Sequence, residues 1–251
     1  MSNIKISIII ATFNSAKTLR VALNSVMLQT FQDWECIVVD GLSKDNTLEI
    51  VKEFEAKDVR FHHISEADKG IYDAFNKGWK LAKGEWIYYL GSDDQVTKNG
   101  LTDLMDVSTS EASVLYGDMY AIFEDGSERY VKAHPAKQMT YLMAPSHQGM
   151  VTRRTLIEAE NGFDLQFRVR ADFDLTQRIY LKYGNFIYTP KAITKCLQTG
   201  LSNQFNFKHH LERLTLMRKN NSVRFRLLMF WYVEWKVLVR HWILKPLHLR
   251  K

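Results

Sequence analysis

The chain predicts an α/β fold, a mostly parallel sheet covered on both faces by helices, on three observations. Through the N-terminal part, short β-branched and aromatic runs alternate with segments of helical periodicity. The strand runs are apolar throughout instead of alternating, which is the pattern of strands buried on both faces. Several of them end on polar or acidic residues, Asn14, Asp40, Glu66 with Asp68, and Asp93 with Asp94. Sheets of this kind bind their ligands outside the carboxyl ends of the strands, so these acidic ends converge on the expected binding edge.

Residues 4–14, IKISIIIATFN, read as the first strand. SAKTLRVALNSVMLQT follows as a helix, with Leu19, Leu23, Val26 and Met27 at helical spacing and Ser15 as a plausible cap. Residues 34–41 give a second strand ending near Asp40, and 45–57 a second helix with Asp45 at its start. A third strand (59–66), a third helix (70–84) and a fourth strand (85–94) complete the alternation. Beyond residue 100 the pattern changes: residues 112–133 read as two strands joined by an Asp-Gly turn, 144–164 as a strand leading into a helix, and 170–184 as another helix. No linker, repeat or low-complexity stretch separates the halves, so residues 1–204 are expected to form one domain.

Residues 205–251 form a basic, aromatic tail. Leu228, Trp231, Trp235, Leu238 and Trp242 fall on one helix face, with Arg224, Arg226, Lys236, Arg240, Lys245 and Arg250 around the rest. Glu234, Lys236 and Arg240 argue against a membrane span. A helix lying in the interface of an anionic membrane fits, as does one packing on the domain or on a second subunit.

The 251 residues are 46% hydrophobic and 25% charged, enough for a full core and unlike a disordered or fibrous chain. Cys36 and Cys196 stand far apart, which fits neither a zinc site nor a disulfide framework and predicts buried thiols in a reducing compartment. The first apolar run is short and lacks a cleavage pattern, so it reads as a strand and not a signal peptide, and a cytoplasmic protein is expected. The formal net charge of +6 suggests polyanionic partners. Because the cations concentrate in the tail beside tryptophans while the expected site is acidic, an anionic membrane surface is favoured and nucleic acid is not.

Asp93 and Asp94 repel one another unless a cation lies beside them. Mg²⁺ takes one or two protein carboxylates and completes its shell with water and substrate phosphate, so the pair suits a metal carried with a diphosphate. An acidic turn capping the next segment is the alternative.

The order of SIIIATFNS, CIVVDGLSKDNT, EADKGIYDAFNKGWKLAKGEWIYYLGSDD and GFDLQFRVRADFDLTQR resembles the family 2 glycosyltransferases, which have the GT-A nucleotide-sugar fold. The likeness spans about residues 4 to 185. DKGIYDAFNKG resembles the signature of a bacterial subgroup that builds capsules, exopolysaccharides and O-antigens. The resemblance implies an inverting, metal-dependent transferase that moves a sugar from a UDP-, GDP- or dTDP-linked donor to a glycan or lipid-linked acceptor at the cytoplasmic membrane face. Thr12 and Asn14 match positions lining the nucleotide pocket, and Asp40 the aspartate that hydrogen-bonds the base edge. In this chain Gly41 and Leu42 replace the commoner Asp and Gly after it. Asp68, Lys69 and Asn76 fall in the segment under the sugar and diphosphate. Asp94 matches the ligand of Mg²⁺ or Mn²⁺, with Asp93 touching the donor sugar or ribose.

The same resemblance maps the general base to Asp172, with Ala171 where glutamate is usual. Asp174 and Arg178 also fit a plain surface ion pair. His147 matches a His-Gln dipeptide on the acceptor side of the cleft. Gly200 and Ser202 lie in a segment like the loop that closes over the donor. A catalytically silent homologue, serving as a membrane-bound subunit of a synthesis complex, is the alternative that Ala171 and Gly41-Leu42 keep open.

Overall fold

The computed structural model describes residues 4–198 together with Glu212, Thr215, Leu216, Lys219, Asn220, Trp231 and Trp235. In chain order the elements are β1 (Ile6–Thr12), α1 (Leu19–Met27), β2 (Trp34–Asp40), α2 (Thr47–Lys57), β3 (Phe61–Ser65), α3 (Ile71–Leu81), β4 (Trp86–Gly91), β5 (Gln95–Val96) and α4 (Gly100–Met105). They continue with β6 (Val114–Ile122), β7 (Glu128–Val131), β8 (Met150–Arg153), α5 (Arg154–Ala159), α6 (Ala171–Tyr183) and β9 (Phe186–Leu197).

The strands form one sheet in the order β3-β2-β1-β4-β8-β6-β9-β5, with β7 pairing β6. The first four are mutually parallel; β8 runs antiparallel to both β4 and β6. Burial on both faces explains the continuous apolar strands. Ile6, Ile8 and Ile10 of β1 point into a core with α1, α2 and α4, whereas Ile9 points into a second core shared with α3 and α6. Gly78 lets α3 lie directly on the sheet, since a Cβ there would collide with Ile9 Cγ2.

Four details differ from the sequence reading. The long strand β9 is unexpected, because Pro190 and Lys191 interrupt its alternation beside a register shift opposite Gly117 and Asp118. The fourth strand ends at Gly91, short of the aspartates, and a separate two-residue strand, β5, follows them. Ser15 is not the cap of α1: that helix starts at Leu19 after Thr18, and the Ser15 carbonyl accepts from the amides of both. Asp45 likewise precedes the N-cap of α2, Asn46, yet its Oδ1 accepts from the Thr47 amide of the first turn. Both cysteines are buried free thiols, as expected.

The stretch 199–204 with Gly200 and Ser202, and the tail cations from Arg224 to Arg250, lie outside the described residues. Four described residues beyond residue 198 dock on the domain. Leu216 is fully buried in the second core. Glu212 accepts from the amides of Arg168 and Val169, both at 3.0 Å. Lys219 pairs with Asp164 and Asp174, and Asn220 donates to Asp174. Trp231 and Trp235, one helical turn apart, are 58% and 60% exposed. Among the described residues no helix is long and apolar enough to cross a membrane.

Candidate active site

The carboxyl ends of the first three strands are in register, so Thr12, Asp40 and Ser65 form one row across the sheet. Asp40 is fully buried. Its Oδ1 accepts from Thr12 Oγ1 at 3.2 Å and from Ser43 Oγ, and its Oδ2 accepts from the Ser43 amide at 3.0 Å and Ser65 Oγ at 2.7 Å. A carboxylate offers about four lone-pair sites, and the protein's own donors occupy all of them. The base-edge contact expected of Asp40 therefore requires amendment: this group ties three strand ends together and has no acceptor capacity left for a ligand.

Asn14 stitches the loop after β1 to the loop after β2, its Oδ1 accepting from the Lys44 amide at 2.8 Å and its own amide donating to Ser43 Oγ. Between Thr12 and Asn14, Phe13 is 62% exposed at the binding edge. Sequence reasoning passes over it; the signal was an aromatic residue between two polar ones where the strand ends.

The DKGIYDAFNKG segment is largely an anchoring device. Asp68 Oδ1 accepts from the Gly70 amide at 2.8 Å, and Asp73 Oδ2 from the Lys69 amide at 3.0 Å. Gly70 has φ 114°, a conformation that side chains rarely adopt. Lys77 reaches back to the Ala67 carbonyl and to Glu66. Asn76 is engaged away from the strand ends: its Nδ2 donates to the Phe163 carbonyl at 2.9 Å, while its Oδ1 accepts from the Phe163 amide and Trp79 Nε1. The diphosphate contact expected of Asn76 is replaced by a clasp between α3 and the loop before α6. Lys69 is exposed at the start of this segment.

At the end of β4 the two aspartates fold back over Gly91. A Cβ at that position would meet Asp94 Oδ2 at 2.5 Å and Asp93 Oδ1 at 3.0 Å, so both carboxylates converge on one spot. Asp93 is exposed, but Asp94 is only 5% so, and its Oδ1 accepts from the Leu197 amide at 3.0 Å. Burial, and next the charge of Asp93, push the Asp94 carboxyl up to about 7. A buried carboxylate next to another is held out of its ionised form unless a cation joins it, and Asp94 Oδ2 is the oxygen turned toward its partner. The arrangement fits a divalent ion held by Asp94, with Asp93 beside it and a diphosphate completing the shell. Among the described residues no cluster of three or more potential metal ligands exists.

The sign of the Asp94 shift gives an expected result. Its folded value of about 7 lies above the ordinary 3.8, so the folded chain binds this proton more tightly. Ionised Asp94 therefore opposes folding, and metal-free stability should fall as pH rises from about 4 to about 7. Asp94→Asn removes that penalty while keeping an acceptor for Leu197. At pH 8 the variant should unfold at higher denaturant than the wild type, by up to roughly 4 kcal/mol, with the gap closing at pH 4. A pH-independent gap in urea titrations would refute the shift.

Asp94, Asp93 and His147 line one cavity of about 390 Å³, whose further walls include Met119, Met143, Pro145, Lys132 and His134. Asp172 is not among its lining residues. It sits in the first turn of α6, where its Oδ1 accepts from the Phe173 amide at 2.7 Å and lies 3.2 Å from the Tyr72 hydroxyl. Tyr72 also donates to the Val169 carbonyl at 2.8 Å. Burial, then the charge of Asp172, raise the Tyr72 phenol well above its ordinary value, so it remains a donor. Oδ2 of Asp172 has no protein donor among the described residues.

His147 lines the cavity and feels the charge of Asp172; its ring is stacked on Tyr89 at 5.3 Å and flanked by Phe75 and Phe163. Burial holds its imidazole below the usual value, against the upward pull of Asp172. Both its ring nitrogens, the Tyr89 hydroxyl and Arg170 Nε are buried without a partner. Buried polar atoms are normally satisfied, and of these four only the two on His147 belong to a residue that lines the cavity. Tyr72, which contacts Asp172, is a neighbour that sequence reasoning misses; the Tyr of the GIYDA segment was the available signal.

Two neighbours of Asp172 depart from expectation or explain it. Asp174 and Arg178 are not a surface pair: Asp174 is fully buried, 2.8 Å from Arg178 Nε, and Arg178 also donates to the carbonyls of Glu160 and Gly162. Ala171 is fully buried in the second core, where a glutamate would need its own partner.

Comparison with known proteins gives three kinds of likeness. The family model described as Glycosyl transferase family 2 matches residues 7–173. The PGL/p-HBAD biosynthesis glycosyltransferase of Mycobacterium tuberculosis is 30% identical over 249 residues, covering 94% of this chain and 90% of that protein. The putative teichuronic acid biosynthesis glycosyltransferase TuaG of Bacillus subtilis is 27% identical, covering 76% and 77% respectively. Among solved structures, residues 1–349 of S. aureus TarS in complex with UDP-GlcNAc superpose with a TM-score of 0.72 at 22% identity, over 86% of this chain and 66% of that one. That structure supports the same mixed α/β architecture, the GT-A fold.

Proposed function

The chain belongs to glycosyl transferase family 2, and from that premise we propose an inverting, metal-dependent transfer of a sugar from a nucleotide donor to a hydroxyl of a surface-glycan acceptor. The observation that carries this reading is the convergence of the Asp93 and Asp94 carboxylates over Gly91, at the carboxyl end of β4 beside a cavity. The donor nucleotide lies across the ends of β1 to β3, with its diphosphate toward Asp94 and its ribose or sugar toward Asp93. When bound, Mg²⁺ or Mn²⁺ neutralises the charge developing on the departing nucleoside diphosphate.

Asp172 takes the acceptor hydroxyl proton through its free Oδ2 while Tyr72 holds Oδ1. The hydroxyl oxygen forms its bond to the anomeric carbon on the face opposite the phosphate oxygen. The bond to that phosphate breaks, its electron pair leaves with the nucleoside diphosphate, and one displacement inverts the configuration. His147, held neutral by burial and without a ring-nitrogen partner among the described residues, lines the cavity with Asp93 and Asp94 and meets the acceptor there. Relatives named for teichuronic acid and PGL/p-HBAD biosynthesis support a glycan or lipid-linked acceptor. Exposed Trp231 and Trp235 support seating of the tail on the anionic inner face of the plasma membrane.

The test is hydrolysis of UDP-, GDP- and dTDP-sugars with and without Mn²⁺. Metal-dependent release of one nucleoside diphosphate is expected, and neither turnover nor binding with any donor would sink the enzyme assignment.

A further inference from the structure

We infer that the nucleobase of the donor is recognised by Asp68, whose carboxylate takes the place of a side chain missing from the end of β2. The inference rests on the reading that the nucleotide lies across the ends of β1 to β3.

Asp40 is excluded because all its acceptor sites are filled from within the fold. The next residue, Gly41, has no side chain, and its backbone does not require glycine, since it is absent from the positive-φ residues. Space is what requires it. A Cβ at Gly41 would lie 2.5 Å from Asp68 Oδ2 and 3.3 Å from Asp68 Cγ, so the loop after β3 delivers a carboxylate into the volume a β2 side chain would fill. Leu42, by contrast, has φ 63°, where glycine would be easier. Glycine therefore stands where room is needed, one position before the residue whose backbone would favour it.

That carboxylate is equipped for a ligand. Oδ1 accepts from the Gly70 amide, which fixes the group's orientation, and among the described residues Oδ2 has no donor. The Phe13 ring, 62% exposed, comes within 3.5 Å of the same Gly41 point. An exposed aromatic face beside a fixed, unpaired carboxylate oxygen suits a planar heterocycle that stacks on the ring and donates a ring N–H. Uracil, thymine and guanine carry such an N–H on the edge that would face Asp68.

The experiment is calorimetric titration of UDP, dTDP and GDP, with Mn²⁺, into the full chain. Asp68→Asn keeps the Oδ1 acceptor for Gly70 and replaces only the free oxygen. It should weaken the nucleotide that the wild type binds by roughly 10- to 100-fold. The analogue methylated at the ring nitrogen, 3-methyluridine or 1-methylguanosine diphosphate, should bind wild type and Asp68→Asn alike. Gly41→Asp alone should lose binding through collision with Asp68, whereas Gly41→Asp combined with Asp68→Ala should regain it by returning the carboxylate to β2. Affinity in Asp68→Asn within twofold of wild type would overturn the inference and leave the donor reading standing. Absence of any UDP, dTDP or GDP binding by the wild type would overturn both.

Discussion

Asp172→Asn should bind donor as tightly as the wild type and lose transfer by roughly 10² to 10⁴-fold. The substitution is isosteric, so the contacts of Oδ1 with the Phe173 amide and Tyr72 survive. Only the capacity of Oδ2 to take a proton disappears. Asp172 also lies in the first turn of α6, where its charge favours the helix, so a loss of a few tenths to one kcal/mol of stability is expected with it. Separate measurement of nucleotide affinity and of sugar transfer distinguishes the two effects. A matching fall in donor affinity would mean that Asp172 belongs to the donor half of the site.

Asp94→Asn should behave in the opposite way, abolishing the response to Mn²⁺ and lowering donor turnover by about 10² or more. Because ionised Asp94 opposes folding in the metal-free chain, this inactive variant should be more stable than the wild type at neutral pH. Lost activity with raised stability cannot be ascribed to misfolding. Asp93→Asn should cost less, since Asp93 is exposed and adds charge next to the buried ligand without being enclosed with it. Mn²⁺ titration of turnover checks both, and an Asp94→Asn enzyme with wild-type metal dependence would remove Asp94 from the site.

The first half of the fold was legible because each strand there is an apolar run buried on both faces and each helix has its own period. β9 was not, since Pro190 and a register shift break its pattern and its pairing with β6 and β5 is a long-range choice. The closeness of the acidic pair at the end of β4 was legible, because adjacency in sequence already forces the two charges together. Residue type was a poor guide at Asp40, whose role depends on Ser65 in the neighbouring strand and Ser43 in the following loop. The same holds for Asn76, whose partner Phe163 lies 87 residues away. Gly41 and Leu42 looked like a defect in a motif; only the fold reveals that the vacated volume is filled by Asp68.

In the proposed reaction Asp94 and Asp172 serve opposite ends of one displacement, leaving group and incoming hydroxyl, and that division has a stereochemical signature. The direct measurement is proton NMR of the sugar product as it first forms from an α-linked nucleotide donor. A β configuration at the anomeric carbon is expected from attack opposite the diphosphate with Asp172 as base. A product retaining the α configuration would contradict it.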